Sequence, residues 1–246
     1  MPLEYYLLFM GLMLACAVFA GYASNKVSSS YKAYGAIPTS SRMTGYDTAV
    51  RLLRSNGVHD ITVGRVRGTL TDHYHPTKKI VNLSESVYGD NSVASVAVAA
   101  HEIGHVMQKK EGYFPYKVRT VLVPITNIGS RLALPLVLIG LLLDVGIIAT
   151  QNSSIGFYLA IAGVALYGLS TIFALVTLPV EYNASKRAKK MLVEEGILRE
   201  DELPYADKML DAAANTYVAS LLTSLVYFLR FAVWVLALFG RNNRRR

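Results

Sequence analysis

The stretch AVAAHEIGHVMQKK, residues 97–110, places two histidines and a glutamate in a run rich in alanine and valine. Its composition favours a helix, and a polar residue just before it, at Asp90, Asn91 or Ser92, can cap the first turn. The two lysines at its end complement the negative end of a helix dipole. One face of this helix is expected to be buried, and it comprises Val93, Val96, Ala97 and Ala100.

The chain around this stretch is unusually apolar. Of its 246 residues, 52% are hydrophobic and 17% charged, which is typical of a multi-pass membrane protein rather than a soluble domain. The net charge is +8, but the basic residues border long apolar runs, so contact with anionic lipid explains them better than nucleic-acid binding. The lone Cys16 excludes an internal disulfide. We therefore expect the lipid bilayer as a partner, and no nucleic acid.

Four stretches are long enough to cross a bilayer, which takes ~20 mostly apolar residues. The polar regions 24–119 and 181–216 between them are rich in lysine and arginine, whereas the connection 144–154 has no basic residue. Because cytoplasmic loops are enriched in basic residues, both polar regions are predicted to be cytoplasmic. The four stretches are approximately Tyr5–Ala23, Val121–Leu143, Ile155–Val180 and Tyr217–Gly240.

The side on which the chain ends stays open. Four complete crossings place the basic tail RNNRRR, residues 241–246, outside, contrary to the charge rule. Arg230, near the middle of the fourth stretch, makes a full crossing costly unless its charge is buried or reaches the interface.

The first polar region has the pattern of a small α+β domain. Thr44 can cap a helix over TGYDTAVRLLRSNGV, with Asp47 completing a capping box. ITVGRVRGTL, residues 61–70, and KIVNLS, residues 79–84, are predicted strands, and DHYHP between them carries turn chemistry. The two strands are expected to pair as a hairpin that a third strand can extend.

The histidines suit a metal site. Residues four apart lie about 40° apart around a helix, so His101 and His105 can offer two nitrogens to one ion. Glu102 lies to the side, where its carboxylate reaches a water on the metal, takes its proton and returns it to a leaving amine. Zinc lowers the pKa of such a water towards ~7. The alternative, two histidines merely satisfied within a helix, is disfavoured because burying three unpaired polar groups costs several kcal/mol.

A catalytic zinc needs a third protein ligand. The pattern HExxHxxGxxH fails, because Gln108 and Glu111 stand where glycine and histidine are required. The second and third spans return the chain to the same side at TLPVEYNASKRAKK, where Pro179 predicts a break and Glu181 is the first acid. Spacing alone leaves Glu181 evenly balanced between a ligand and a solvated carboxylate. Its rivals are Glu194, Glu195, Asp207 and the DHYH turn.

Four segments in this order, LTDHYHP, AAHEIGHVMQ, LPVEYNASKRA and AAANTYVAS, resemble the YugP-type neutral zinc metallopeptidases of membranes, over nearly the whole chain. The layout is also similar to that of the HtpX and CAAX-prenyl proteases. The resemblance implies a gluzincin-type fold, one catalytic Zn²⁺, His101 and His105 as ligands, Glu102 as base and Glu181 as third ligand. Two positions differ from these patterns. The related proteases usually have an aspartate at the position of Ser185, and members of the YugP-type family often have an aspartate at the position of His75.

Other polar residues are weaker candidates for the site. A zinc peptidase needs a donor for the oxyanion, and each of the available side chains is more commonly structural. A histidine pair in the DHYH turn could also form a second metal site, although packing in the turn is the better explanation. KIVNLS is either an edge strand that pairs with extended substrate or an internal strand. The oxyanion candidates are Tyr217, Arg187, His73 and His75.

These features predict an α+β zincin-like (gluzincin) metallopeptidase domain with about four transmembrane helices, mostly α. The expected segments are a transmembrane helix (1–23), a cytoplasmic zincin subdomain with the HExxH helix (24–119), a transmembrane hairpin (120–180), a cytoplasmic helical segment with the third ligand (181–216), and a C-terminal hydrophobic helix with a basic tail (217–246).

The expected activity is zinc-dependent peptide-bond hydrolysis, as an endopeptidase, in protein or peptide substrates at the cell membrane, membrane proteins above all. Membrane protein quality control would suit such an enzyme. The alternative from another class is a non-enzymatic scaffold or adaptor with a structural zinc site, which the intact His-Glu-His set disfavours. A transporter is weaker still, because its polar residues should lie in mid-membrane.

Overall fold

The computed structural model describes residues 3–145 and 154–242. Within these residues the chain forms seven helices and three short strands, so it is mostly helical, as predicted. In chain order they are α1 (Leu3–Tyr34), α2 (Gly45–Ser55), β1 (Thr62–Val66), β2 (His73–His75), β3 (Ile80–Ser84), α3 (Glu85–Tyr88), α4 (Val93–Lys110), α5 (Phe114–Val145), α6 (Ser154–Glu194) and α7 (Leu203–Asn242).

Four of these helices, α1, α5, α6 and α7, are long and apolar enough to cross a membrane. Their most apolar windows have mean hydropathies between 1.6 and 2.2, and only 11–22% of each window is buried within the protein. Such exposed apolar surface is stable only when lipid or another protein covers it. The prediction of four apolar spans is therefore confirmed.

The long helices extend well beyond the predicted spans. Helix α6 continues through Pro179 to Glu194, so the predicted break at this proline is wrong. A proline removes one backbone hydrogen bond, to the carbonyl four residues earlier, but neighbouring contacts can keep the helix intact. Here the turn that follows Pro179 packs on α4, as described below.

The chain divides into two compact units. The first comprises Met1–Ala20, Val118–Thr177 and Val218–Arg246, and it contains most of the apolar length of the four long helices. The second comprises Gly21–Lys117 and Leu178–Tyr217. It holds the three strands, α2 to α4, and the polar ends of the long helices.

Helix α2 begins and ends as its sequence predicts. Thr44 is the N-cap, its hydroxyl accepts the backbone N–H of Asp47, and the Asp47 carboxylate accepts the backbone N–H of Thr44. This reciprocal pair satisfies two donors that a helix start otherwise leaves open. Gly57, just after the end, has a φ of +62°, which glycine adopts without strain.

The sheet differs from the predicted hairpin. Its strand order is β1-β3-β2, with β1 parallel to β3 and β2 antiparallel to β3. The DHYH segment is thus not only a turn, because β2 forms the antiparallel pair with β3 that the hairpin prediction gave to β1. KIVNLS is therefore the internal strand, and Val81 and Leu83 on it are fully buried.

Helix α4 forms the centre of the core of the second unit. Ser92 is its N-cap and accepts the backbone N–H of Ser95, which confirms one of the three predicted caps. The predicted buried face is also confirmed, since Val93, Val96, Ala97 and Ala100 are all 0% exposed. Burial of large apolar side chains around α4 contributes about 1.5–3 kcal/mol each. They include Leu52, Leu83, Ile103, Leu192 and Ile197.

Candidate metal centre

Two histidines of α4 and one glutamate of α6 meet in the second unit. The Nε2 atoms of His101 and His105 lie 3.2 Å and 3.4 Å from the same oxygen, Oε2 of Glu181. Glu181 is 1% exposed, so its carboxylate lies inside the protein. Among the described residues, this is the one group of three histidine, cysteine or acidic side chains that could hold a metal, and its donor atoms lie within 4.8 Å of one another.

The separations between Glu181 and each histidine match the spacing of zinc ligands. Tetrahedral bonds of ~2.0–2.1 Å to nitrogen and oxygen separate neighbouring ligand atoms by about 3.3–3.4 Å. The two observed distances between nitrogen and oxygen agree with that spacing. Two imidazoles and one carboxylate form a donor set that zinc prefers, and three protein ligands leave a fourth position free, as in catalytic rather than structural sites.

Helices α4 and α6 approach each other very closely at this cluster. A Cβ at Gly104 would lie 2.5 Å from the carbonyl oxygen of Ala184 and 3.1 Å from its Cα. These distances are far below van der Waals contact, so this approach requires glycine. Ala184 precedes Ser185 and follows Glu181 by three residues, so the same contact sets how far both side chains reach towards the histidines.

We expect Gly104→Ala to destabilise the protein and weaken zinc binding. Helix propensity alone would make alanine better by about 1 kcal/mol, but forcing the helices apart costs about 1–3 kcal/mol. Unfolding in detergent and zinc titration measure both effects. The matched control is Gly21→Ala, also inside a helix, where an added Cβ meets nothing within 4 Å. Equal stability and zinc affinity in both variants would contradict the close-contact explanation.

Glu102 lies one residue after the first histidine and is 7% exposed. Burial raises the pKa of its carboxyl from 4.5 to about 7; His101 opposes this rise, whereas Asp72 and Glu181 add to it. A carboxyl with such a pKa can both accept and release a proton near neutral pH.

Asp72 entered the sequence predictions only as part of the DHYH turn, one of the rivals for the third ligand. Its carboxylate accepts the backbone N–H of Ser84 at 2.7 Å and the Ser84 hydroxyl at 3.0 Å. Burial raises the pKa of the Asp72 carboxyl, although the hydrogen bonds from Ser84 oppose the rise. These bonds join the loop before β2 to the end of β3, and they place a second acid where it acts on Glu102.

Ser185 contacts the ring of His101. The distance between the hydroxyl oxygen and Nδ1 is 3.1 Å, while Nε2 of the same ring faces Glu181. A neutral imidazole that offers Nε2 to a metal carries its proton on Nδ1, and the Ser185 hydroxyl can accept a hydrogen bond from this N–H. The hydroxyl therefore takes the position expected of an orienting acid, without the charge.

Gln108 makes the corresponding contact to His105. Its Oε1 lies 3.0 Å from Nδ1 of His105, and its Nε2 lies near two oxygens of α6. In the sequence, Gln108 stands out only as a departure from the longer motif HExxHxxGxxH. Its spacing of three residues from His105, which puts both on one helix face, could have indicated the contact.

Three of the other predicted candidates, Arg187, His73 and His75, make contacts with residues other than the two histidines and Glu181. Arg187 donates to Asn183 and pairs with Glu111 at 2.7 Å. In the exposed ring of His73, Nδ1 is 2.9 Å from the Thr71 carbonyl and Nε2 is 3.0 Å from the Asn82 amide nitrogen. His75 accepts the Lys78 backbone N–H. Tyr217 is half-buried in α7, in the same unit.

Three of the rivals for the third ligand form ion pairs with basic side chains, whereas Asp72 of the DHYH turn accepts hydrogen bonds from Ser84. Glu194 pairs with Lys190, Glu195 with Arg51, and Asp207 with Lys189. Side-chain exposures of 58% for Glu194 and 46% for Asp207 are those of surface groups. Glu181 is the acid that the fold brings to the histidines.

Comparisons with known proteins agree with this donor set. A family model described as "Putative neutral zinc metallopeptidase" matches residues 8–236. The chain is also similar to a Bacillus subtilis (strain 168) protein named "Putative membrane protease YugP", with 41% identity over 227 residues, covering 92% of this chain and 96% of that protein. No solved structure shows a significant match. A match over nearly the whole length, together with two histidines and a glutamate at zinc-ligand spacing, places this chain in the neutral zinc metallopeptidase family.

Proposed function

We propose that the protein is a zinc-dependent endopeptidase of gluzincin type that cleaves protein substrates at the cytoplasmic face of the cell membrane. The observation that carries the proposal is the convergence of His101, His105 and Glu181 on one point, with the buried Glu102 beside them. In this proposal His101, His105 and Glu181 hold the metal and Glu102 is the base.

The chemistry divides between the metal and the protein. A zinc ion held there lowers the pKa of a water towards ~7 and polarises a carbonyl oxygen. Glu102 accepts the proton of the attacking water and passes it to the leaving amine, a role that suits a carboxyl with a pKa of about 7. Ser185 and Gln108 hold the imidazole rings in place.

Extended substrate is proposed to pair with the edge of the sheet. Because β3 is internal, the strand for this role is β2, which is hydrogen-bonded on one side to β3 and packs against α4. Addition of a strand to a sheet edge recognises the peptide backbone and so tolerates many sequences. Such tolerance suits a protease of membrane protein quality control.

The proposed location near the bilayer is supported by chain connectivity. Glu181 lies four residues after Thr177, the last residue of α6 that belongs to the apolar first unit. The cytoplasmic side is supported by the lysines and arginines around residues 24–119 and 181–216. The proposal also includes the division of the chain that the sequence predicts, with membrane segments at 1–23, 120–180 and 217–246 and cytoplasmic segments at 24–119 and 181–216.

Removal of the metal is the direct test of this function. We expect the full-length protein in detergent to cleave fluorescein-labelled casein, to lose this activity on treatment with a zinc chelator, and to regain it with Zn²⁺ but not with Mg²⁺, which prefers oxygen ligands. Full cleavage by zinc-free protein would refute the proposal. One bound zinc per chain without chelator-sensitive cleavage of casein or membrane proteins would favour the non-enzymatic scaffold.

A further inference from the structure

We propose that Gln108 is a positioning residue that selects which nitrogen of His105 faces the metal and ties the two ligand-bearing helices together. The inference rests on the proposed function only in that His105 is a zinc ligand. Gln108 is 0% exposed, and both ends of its amide have partners. Its three contacts fix which end of the amide faces each partner, because some of the neighbouring groups can only accept a hydrogen bond and others can only donate one.

Two contacts on α6 determine the direction of the Gln108 amide. The backbone carbonyl of Val180 can only accept, and it lies 2.7 Å from Gln108 Nε2. The Nε of Arg187 can only donate, and it lies 2.7 Å from Asn183 Oδ1, so Asn183 presents its oxygen. That oxygen is 3.0 Å from Gln108 Nε2. Because both of these oxygens accept hydrogen bonds, the NH₂ group of Gln108 must face α6.

The state of His105 follows from this orientation. With its NH₂ group on α6, Gln108 presents Oε1 to His105 Nδ1 at 3.0 Å, and an amide oxygen only accepts. Nδ1 must therefore carry the proton of the neutral ring. The lone pair is then on Nε2, the atom that lies 3.4 Å from Glu181 Oε2. This is the tautomer that a zinc ligand needs.

The second histidine lacks such a fixed reference. His101 Nδ1 contacts the hydroxyl of Ser185, which can donate or accept equally well. Ser185 follows the tautomer of His101 rather than setting it. Of these two contacts to Nδ1 atoms, the one from Gln108 determines the tautomer of its histidine and the one from Ser185 does not.

The same amide also joins the two helices. Val180 and Asn183 flank Glu181 on α6, whereas Gln108 follows His105 by three residues on α4. One side chain thus holds the backbone beside the glutamate and the ring of the histidine. Its loss is expected to disturb both ligands at once.

The test compares zinc affinity and site geometry in full-length protein in detergent. Gln108→Met keeps the length of the side chain but removes all three hydrogen bonds, and we expect about 10- to 100-fold weaker zinc binding in competition with a chromophoric chelator. The visible spectrum of the Co²⁺-substituted protein is expected to change as well. Met107→Ala is the control, because Met107 is buried beside Gln108 on the same helix. This substitution should lower the stability of the protein without changing the Co²⁺ spectrum.

A second pair of variants applies if Gln108→Met folds poorly. Asn183→Asp keeps an oxygen for both Gln108 and Arg187, whereas Asn183→Leu removes it. We expect near wild-type zinc affinity for the aspartate and weaker binding for the leucine variant. Unchanged affinity and an unchanged Co²⁺ spectrum in Gln108→Met would overturn the inference, and so would the same result in Asn183→Leu if Gln108→Met does not fold. Because both measurements are independent of proteolysis, an inactive wild type that binds zinc would refute the proposed function alone.

Discussion

Glu102→Gln is expected to lower the rate of casein cleavage by about 10²–10⁴-fold while one zinc per chain stays bound. Glutamine has nearly the same shape as glutamate, but its amide cannot take a proton from water. Because Glu102 lies beside the three side chains proposed to hold the metal and is not one of them, the distances between those three side chains should not change. Cleavage rates and zinc content are measured on the same purified sample.

The matched control for this substitution is Glu85→Gln. Glu85 is an exposed acid of the same unit, with 47% of its side chain accessible, and pairs with Arg65 at 3.7 Å. Its amide variant should cleave like the wild type. If Glu102→Gln also cleaves at the wild-type rate, Glu102 is not the base and the proposed mechanism is wrong.

Glu181→Ala is expected to lose stoichiometric zinc and, with it, cleavage. The substitution removes one of three proposed ligands and leaves the Nε2 atoms of both histidines without the oxygen that lies 3.2 Å and 3.4 Å away. Loss of an orienting partner alone weakens metal binding by 10–100-fold, so loss of a ligand should exceed about 100-fold. Metal content after dialysis against a weak chelator measures the effect.

Glu194→Ala is the control for the third ligand. Glu194 lies on the same helix, but its side chain is 58% exposed and pairs with Lys190. Zinc content should be unchanged in this variant. Retention of full zinc by Glu181→Ala would show that another group is the third ligand.

Local features of the fold were predictable because they depend on neighbours in sequence. The capping box at Thr44 and Asp47, the cap at Ser92 and the buried face of α4 all follow from residues a few positions apart. The pairing of the strands was not predictable in this way. Whether β3 pairs with β1 in parallel or as a hairpin depends on the placement of the short β2, which is decided by contacts between distant segments.

The site was predictable to the extent that it follows a helix period. His101, Glu102 and His105 share one helix, whereas Glu181 needed the return of the chain and a resemblance to a family. The contact of Gln108 with His105 also follows the helix period, but its other partners, Val180 and Asn183, lie 72 and 75 residues further along the chain. No spacing within α4 indicates them.

The distance along the chain between the histidines and Glu181 has a consequence for biosynthesis. Glu181 follows His101 by 80 residues, and the apolar helix α5 and the apolar part of α6 lie between them. Synthesis from the N-terminus therefore completes both histidines well before their carboxylate partner exists. A nascent chain that has not yet passed through both hydrophobic segments lacks a complete site. If these residues hold zinc as proposed, the order of synthesis delays assembly of the metal site until both hydrophobic segments have been made.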